Sequence, residues 1–129
     1  MESIKVMIVD DEPVLRSAYR DILEAEWPDV EIQEFSSGEP ALSGIASFLP
    51  DLLITDFNHP GLKGCEFVRS VRENYPALRI LVASTMSELP TARYVAEAGA
   101  NDYIMKPMTT EDLLLRVKNQ LVGKVRGEA

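Results

Sequence analysis

Three aspartates, a hydroxyl and an ammonium recur at equivalent places along the chain. Asp10-Asp11-Glu12, Asp56, Ser84-Thr85 and Lys106 each follow directly on a short apolar run. Two carboxylates about 4 Å apart repel by roughly 4 kcal/mol at an effective dielectric of about 20, so three gathered together ask for a compensating cation. Oxygen-only ligands select Mg²⁺ over zinc or copper. Lys106 and the Ser84 hydroxyl can then hold the remaining oxygens of a phosphoryl group and spread charge as it transfers. Asp56 is assigned as the nucleophile because it stands alone, whereas Asp10 and Asp11 are adjacent and suited to metal binding. Each residue also has a plainer reading. Asp11-Glu12-Pro13 opens a helix, Asp56 opens a polar turn before Asn58-His59-Pro60-Gly61, Ser84 caps a helix, and Lys106 is a solvated lysine. Structural roles alone would not bring these residue types to one rim.

The elements that must position them follow from patterning. Ile4 to Val9, Val30 to Phe35, Leu52 to Thr55, Ile80 to Ala83 and Tyr103 to Met105 are apolar runs too short for helices and rich in β-branched residues, as buried strands are. All but the second are nearly continuous in apolarity, which fits a parallel sheet covered on both faces. Helical patterns lie between them. Pro13 to Glu26 carries Leu15, Ala18, Ile22 and Ala25 on one stripe, and Thr110 to Val122 carries Leu114, Val117 and Leu121. Glu39 to Phe48, Glu66 to Tyr75 (with Phe67, Val68 and Val71 inward) and Leu89 to Ala98 complete the set, and Gly99 is a stop signal. Strands alternating with helices predict an open α/β sheet in a three-layer sandwich. Ligands of such sheets sit at the carboxyl ends of the strands, where the reactive residues fall.

With 129 residues, one domain is expected, spanning 1–123, and 124–129 read as a tail or the start of a linker. Thirteen Lys and Arg against 21 Asp and Glu give −8, a field that repels phosphate backbones and anionic lipid, so neither direct nucleic-acid binding nor membrane association is expected. Cys65, the single cysteine, cannot form an internal disulfide, and with one His there is no structural zinc set. The N-terminus lacks the pattern of a signal peptide and no run reaches the length of a membrane span, so a cytoplasmic protein is expected.

The motifs together resemble the receiver domain of bacterial two-component response regulators over about residues 4–122. Val9-Asp10-Asp11-Glu12-Pro13 is similar to the acidic pair, and Asp56-Phe57-Asn58-His59-Pro60-Gly61-Leu62-Lys63-Gly64 to the phosphoacceptor loop. Ala83-Ser84 resembles the switch hydroxyl, and Gly99-Ala100-Asn101-Asp102-Tyr103-Ile104-Met105-Lys106-Pro107 the last strand and its lysine. The resemblance implies a flavodoxin-like fold of five parallel strands in the order 2-1-3-4-5 with five helices. It implies that Asp56 takes a phosphoryl group from the histidine of a sensor kinase or phosphotransfer protein. Asp11, Asp56 and the backbone carbonyl of Asn58 would bind Mg²⁺ directly, and Asp10 through water. Lys106 would pair with the phosphate, Ser84 would swing toward it, and Tyr103 would rotate inward, reshaping the face of helix 4, strand 5 and helix 5. Similar proteins hold the Lys-Pro bond cis, which the resemblance extends to Lys106-Pro107, whereas X-Pro bonds in general are cis only about 5% of the time, so the sequence leaves its state open.

Three positions depart from the family pattern. His59 stands where methionine is usual, Thr85 where alanine or glycine is usual, and Met86 where a polar residue often guides attacking water. They are expected to modulate the site: Thr85 by slowing small donors, Met86 by lengthening the acyl phosphate's life, His59 by titrating near neutrality or by doing nothing. Cys65 reads as a small helix residue and Trp27-Pro28 as the close of helix 1. Glu97, Asp102, Asp112, Arg116 and Lys118 partly resemble the charged pairs through which one branch of receivers forms homodimers, or they are a solvated face. Two other functions share the fold or the metal: a phosphate-independent binding module, and a Mg²⁺-dependent phosphatase, for which so short a chain offers no cap or substrate pocket.

Overall fold

The computed structural model describes residues 3–56, 64–85 and 89–122, with the backbone alone at 64–65, 89–92 and 94. Strands and helices alternate as β1 (Lys5–Val9), α1 (Pro13–Glu26), β2 (Glu31–Phe35), α2 (Gly38–Phe48), β3 (Leu52–Asp56), α3 (Gly64–Asn74), β4 (Arg79–Ser84), α4 (Leu89–Ala98), β5 (Asp102–Met105) and α5 (Thr110–Gln120). The five strands form one parallel sheet in the order β2-β1-β3-β4-β5. The connection therefore runs outward from β1 to the edge at β2 and returns to the other side of β1 at β3. Between β1 and β3 the chain reverses its direction across the sheet, which opens a crevice at their carboxyl ends.

Period-two alternation sorts the strand residues onto two apolar faces. Val6, Ile8, Leu52, Ile54, Leu81, Ala83 and Ile104 pack under α1 and α5 with Tyr19, Leu23, Leu113, Val117 and Leu121. Met7, Val9, Leu53, Ile80 and Val82 pack on the other face with Ala41, Ile45, Phe67, Val68, Val71 and Val95 from α2, α3 and α4. The edge strand β2 is only partly covered, which accounts for its interrupted apolar pattern. Helix phases differ from the sequence expectation at two places. In α1 the fully buried residues are Tyr19 and Leu23, while Ala25 is exposed; in α5 Leu113 is buried and Leu114 only half-buried. The phenol of a tyrosine offers enough apolar surface to centre a stripe although its hydroxyl reads as polar.

The elements end for local reasons. Pro13 occupies the first turn of α1, where a missing N–H costs nothing, and the Thr109 hydroxyl caps α5 by accepting from the Asp112 N–H at 3.0 Å. Helix α4 closes with Ala100 N–H on the Val95 carbonyl and Gly99 N–H on the Ala96 carbonyl, with Gly99 at φ 116°. Arg72 on α3 secures that corner by donating to the Gly99 carbonyl at 2.7 and 2.9 Å, to Asn101 Oδ1 at 2.9 Å and to the Leu78 carbonyl at 2.6 Å. A Cβ at Gly99 would stand 2.9 Å from Arg72 Cγ as well as strain the backbone. Gly99→Ala is therefore expected to lower stability by about 1–3 kcal/mol in urea unfolding; an unchanged midpoint would contradict this account of the corner.

Candidate functional site

Asp10 is the first residue beyond β1 and is completely buried. Its N–H donates to the Phe35 carbonyl at 3.0 Å, extending the pairing with β2 by one bond. Its carboxylate is shared between two elements: Oδ1 accepts the Glu12 N–H at 3.0 Å, and Oδ2 accepts from Lys106 Nζ at 2.9 Å. Asp11, next in the chain, is exposed. Asp56 is the last residue of β3, paired in register with Ala83 and 8% exposed, so it belongs to the ladder and not to a turn. Ser84, 1% exposed, closes β4 in register with Met105 and lies in the ladder too.

Lys106 follows β5 directly, and its N–H donates to the Ser84 carbonyl at 2.7 Å. That bond sets the direction in which the side chain leaves the sheet. Its ammonium lies 2.9 Å from Asp10 and 3.1 Å from Asp56, bridging the ends of β1 and β3. Burial alone would pull the ammonium's pKa down, but the hydrogen bond it donates to Asp10 and the charges of Asp56 and Asp10 outweigh it and hold Lys106 above its ordinary value. The lysine stays charged. The next peptide bond, Lys106-Pro107, is cis.

One carboxylate oxygen from each of Asp10, Asp11 and Asp56 lies within 4.8 Å of the other two. Three negative charges against one ammonium leave the cluster with an excess of two, the charge of one divalent cation. The donor set is all oxygen, and Mg²⁺ is the common hard cation that fits a few carboxylates with retained water. Four sequence-predicted residues, Asp10, Asp11, Asp56 and Lys106, are thus brought together, with Ser84 at the neighbouring strand end. Thr85 is exposed on the same rim, and Tyr103 is half-buried on β5, packed against the core on the α4 side of the sheet. Asn58, His59 and Met86 lie outside the described residues.

Two residues that sequence reasoning passed over reach this region. Arg16 on α1 donates to the Asp10 carbonyl at 2.6 Å. Nothing local in sequence announces that contact, since the residue that orients Arg16, Glu34, is on β2. Tyr19 lies 2% exposed beneath the site, and its hydroxyl has no hydrogen-bond partner among the described residues. Its signal was the helical spacing from Leu15 to Leu23. Burial, then the charges of Asp10, Asp56 and Glu12, push the phenol well above its usual pKa, so it remains a protonated donor. The charged set on α4, β5 and α5 is occupied within the chain. Arg116 pairs with Asp102 at 2.9 Å and Asp112 at 3.6 Å, Lys118 with Glu26 at 3.0 Å, and Arg93 with Glu97 at 4.0 Å.

An enclosed hydroxyl without a partner has lost its water without compensation, at about 1–3 kcal/mol. Tyr19→Phe is accordingly expected to raise stability by about 1 kcal/mol in urea unfolding; a clear loss of stability would show that the hydroxyl is satisfied.

Residues 6–118 match the family model described as the response regulator receiver domain. The transcriptional activator protein ExaE of Pseudomonas putida is 34% identical over 118 residues, covering 92% of this chain and 55% of that protein. The nitrate/nitrite response regulator protein NarL of Escherichia coli K12 is 30% identical, covering 96% and 57%. The chain therefore spans about half the length of these two relatives. Among solved structures, the chemotaxis response regulator CheY4 of Vibrio cholerae superposes with a TM-score of 0.85 at 28% identity, covering 93% of this chain and all of that one. The match of fold, motif order and strand-end chemistry has one outcome: the chain belongs to the response regulator receiver domain family.

Proposed function

We propose that this receiver domain is a phosphorylation-driven switch whose acceptor is Asp56. The observation that carries the reading is the Lys106 ammonium bridging Asp10 and Asp56 beside a cluster of three carboxylates. A carboxylate oxygen of Asp56 attacks the phosphorus of a phosphohistidine on a sensor kinase or phosphotransfer protein. The P–N bond breaks, its electron pair stays on the imidazole, and an acyl phosphate remains. Asp11, Asp56 and the Asn58 carbonyl would hold Mg²⁺, with Asp10 acting through water. When bound, the ion neutralises charge on the phosphoryl oxygens and the attacking carboxylate. Lys106 stays protonated and exchanges its carboxylate partners for a phosphoryl oxygen. The domain catalyses only its own phosphorylation and dephosphorylation.

The same ladder offers a route outward. The phosphoryl group would draw in the Ser84 hydroxyl, and Tyr103, one strand over, would turn into the space released. The face of α4, β5 and α5 changes as a result, and it carries Met105 and Leu115 exposed, at 45% and 57%. We assign that face to an effector or to a second copy of the chain. Glu97, Asp102, Asp112, Arg116 and Lys118 on it are already paired internally, so an apolar contact rather than salt bridging would hold a homodimer. A cavity of about 330 Å³ beside Lys106 and Thr85, lined by Leu15, Ile22, Pro107 and Met108, suits an apolar side chain of the phosphodonor. No helix among the described residues is long and apolar enough to cross a membrane, and the charge of −8 disfavours nucleic acid, in keeping with a cytoplasmic signalling role. His59 and Met86 are assigned to tuning phosphoryl lifetime.

Incubation with acetyl phosphate and Mg²⁺ is expected to add one phosphoryl group by intact mass. EDTA or Asp56→Asn is expected to abolish the gain; a gain that survives either change contradicts the assignment, and no gain in the wild type favours a phosphate-independent binding module. Thr85 stands exposed on the rim. Thr85→Ala should quicken acetyl phosphate labelling severalfold, and an unchanged rate would remove Thr85 from the entry path.

A further inference from the structure

The two acidic residues after β1 are held very differently. Asp10 is fixed at every polar group: its N–H by β2, its carboxylate by Glu12 and Lys106, and its carbonyl by Arg16. Asp11 is exposed and takes no hydrogen bond or ion pair from the described residues. Where its carboxylate points is therefore set by the peptide that joins it to Asp10, and the oxygen of that peptide is the one Arg16 holds at 2.6 Å.

Arg16 is itself oriented from outside its helix. Its Nε donates to Glu34 Oε1 at 3.1 Å, and Glu34 is steadied in turn by Arg20, whose Nε donates to Oε2 at 2.6 Å. The Arg16 and Glu34 side chains are 19% and 25% exposed, so the pair is mostly withdrawn from solvent. A guanidinium is planar and can span two acceptors at a fixed angle. One edge of this one grips the β1–α1 peptide while another grips β2.

We propose that Arg16, oriented by Glu34, is a positioning residue for Mg²⁺: it locks the Asp10–Asp11 peptide so that the Asp11 carboxylate faces those of Asp10 and Asp56. The inference rests on the metal-site reading above. Electrostatics alone gives the opposite sign. A permanent cation beside three carboxylates weakens their attraction for another cation, so removing it would tighten Mg²⁺ binding if charge were all that mattered. Loss of the lock instead lets the peptide rotate and Asp11 swing away, and ligand-orienting contacts of this kind are worth about 10–100-fold in metal affinity.

The test is calorimetric titration of Mg²⁺ into the wild type, Arg16→Met and Arg16→Lys at a temperature where circular dichroism shows each folded. Arg16→Met is expected to bind about tenfold more weakly. Equal or tighter binding would overturn the proposal. Arg16→Lys keeps the charge but loses the fork, and is expected to weaken binding severalfold. Should the methionine variant fail to fold, the lysine variant decides, since unchanged affinity there would also overturn the proposal. A wild type that binds no Mg²⁺ would remove the metal-site reading and this inference with it, whereas a wild type that binds and variants that bind equally well would remove the inference alone.

Discussion

Lys106 is the interaction on which this structure turns. Asp10 and Asp56 are nearly sealed from water at the ends of adjacent strands, and two buried carboxylates without a cation would either take up protons or force the strand ends apart. One ammonium, reaching them at 2.9 and 3.1 Å from a strand at the far edge of the sheet, prevents both. Its compensation is incomplete. Asp11 adds a third carboxylate within 4.8 Å, and the residual charge is the basis of the proposed affinity for a divalent ion. A cluster held together by one ammonium is also one that a phosphoryl group could rearrange, because the new anion would compete for that ammonium.

The precision of the site comes from where the chain puts regular structure. Asp56 and Ser84 are ladder residues, each paired in register with the next strand, so the proposed acceptor and the hydroxyl rest on the sheet. The Lys106 N–H bond to the Ser84 carbonyl makes the end of β5 an extension of the same frame. Tyr103, two residues before Met105 and opposite Val82, sits within that frame but faces the α4 side. A displacement at Ser84 therefore has only one strand to cross before it reaches the surface assigned to output.

Much of this was legible in the residues. Continuous apolar runs of β-branched residues pointed to a parallel sheet covered on both faces, and the broken pattern of Val30 to Phe35 is explained by its place at the edge. The reactive residues could be collected because parallel topology brings all strand ends to one side. What escaped was of two kinds. Helix phase slipped in α1 and α5: Tyr19 and Leu23 lie under the sheet where Ala25 was expected, and Leu113 rather than Leu114 leads, since neighbouring residues differ by only 100° and a tyrosine disguises its apolar body. Contacts between side chains distant in sequence were invisible altogether. Arg16 with Glu34, and Arg72 with Gly99, join elements whose approach only the finished fold decides. Asn58 and His59, whose motif resembles a phosphoacceptor loop, lie outside the described residues.

The central claim is that one cluster binds Mg²⁺ and relays phosphoryl occupancy through the β3–β4–β5 edge. Amide resonances followed by ¹⁵N NMR, first with Mg²⁺ and then with Mg²⁺ plus beryllofluoride as the phosphoryl mimic, test it most directly. The account predicts that Mg²⁺ alone moves Asp10, Asp11, Asp56 and Lys106, and that beryllofluoride extends the shifts to Ser84, Tyr103 and the exposed residues of β5 and α5. Saturating Mg²⁺ that leaves Asp10, Asp11 and Asp56 unmoved, or beryllofluoride shifts that stop short of Ser84 and Tyr103, would contradict it.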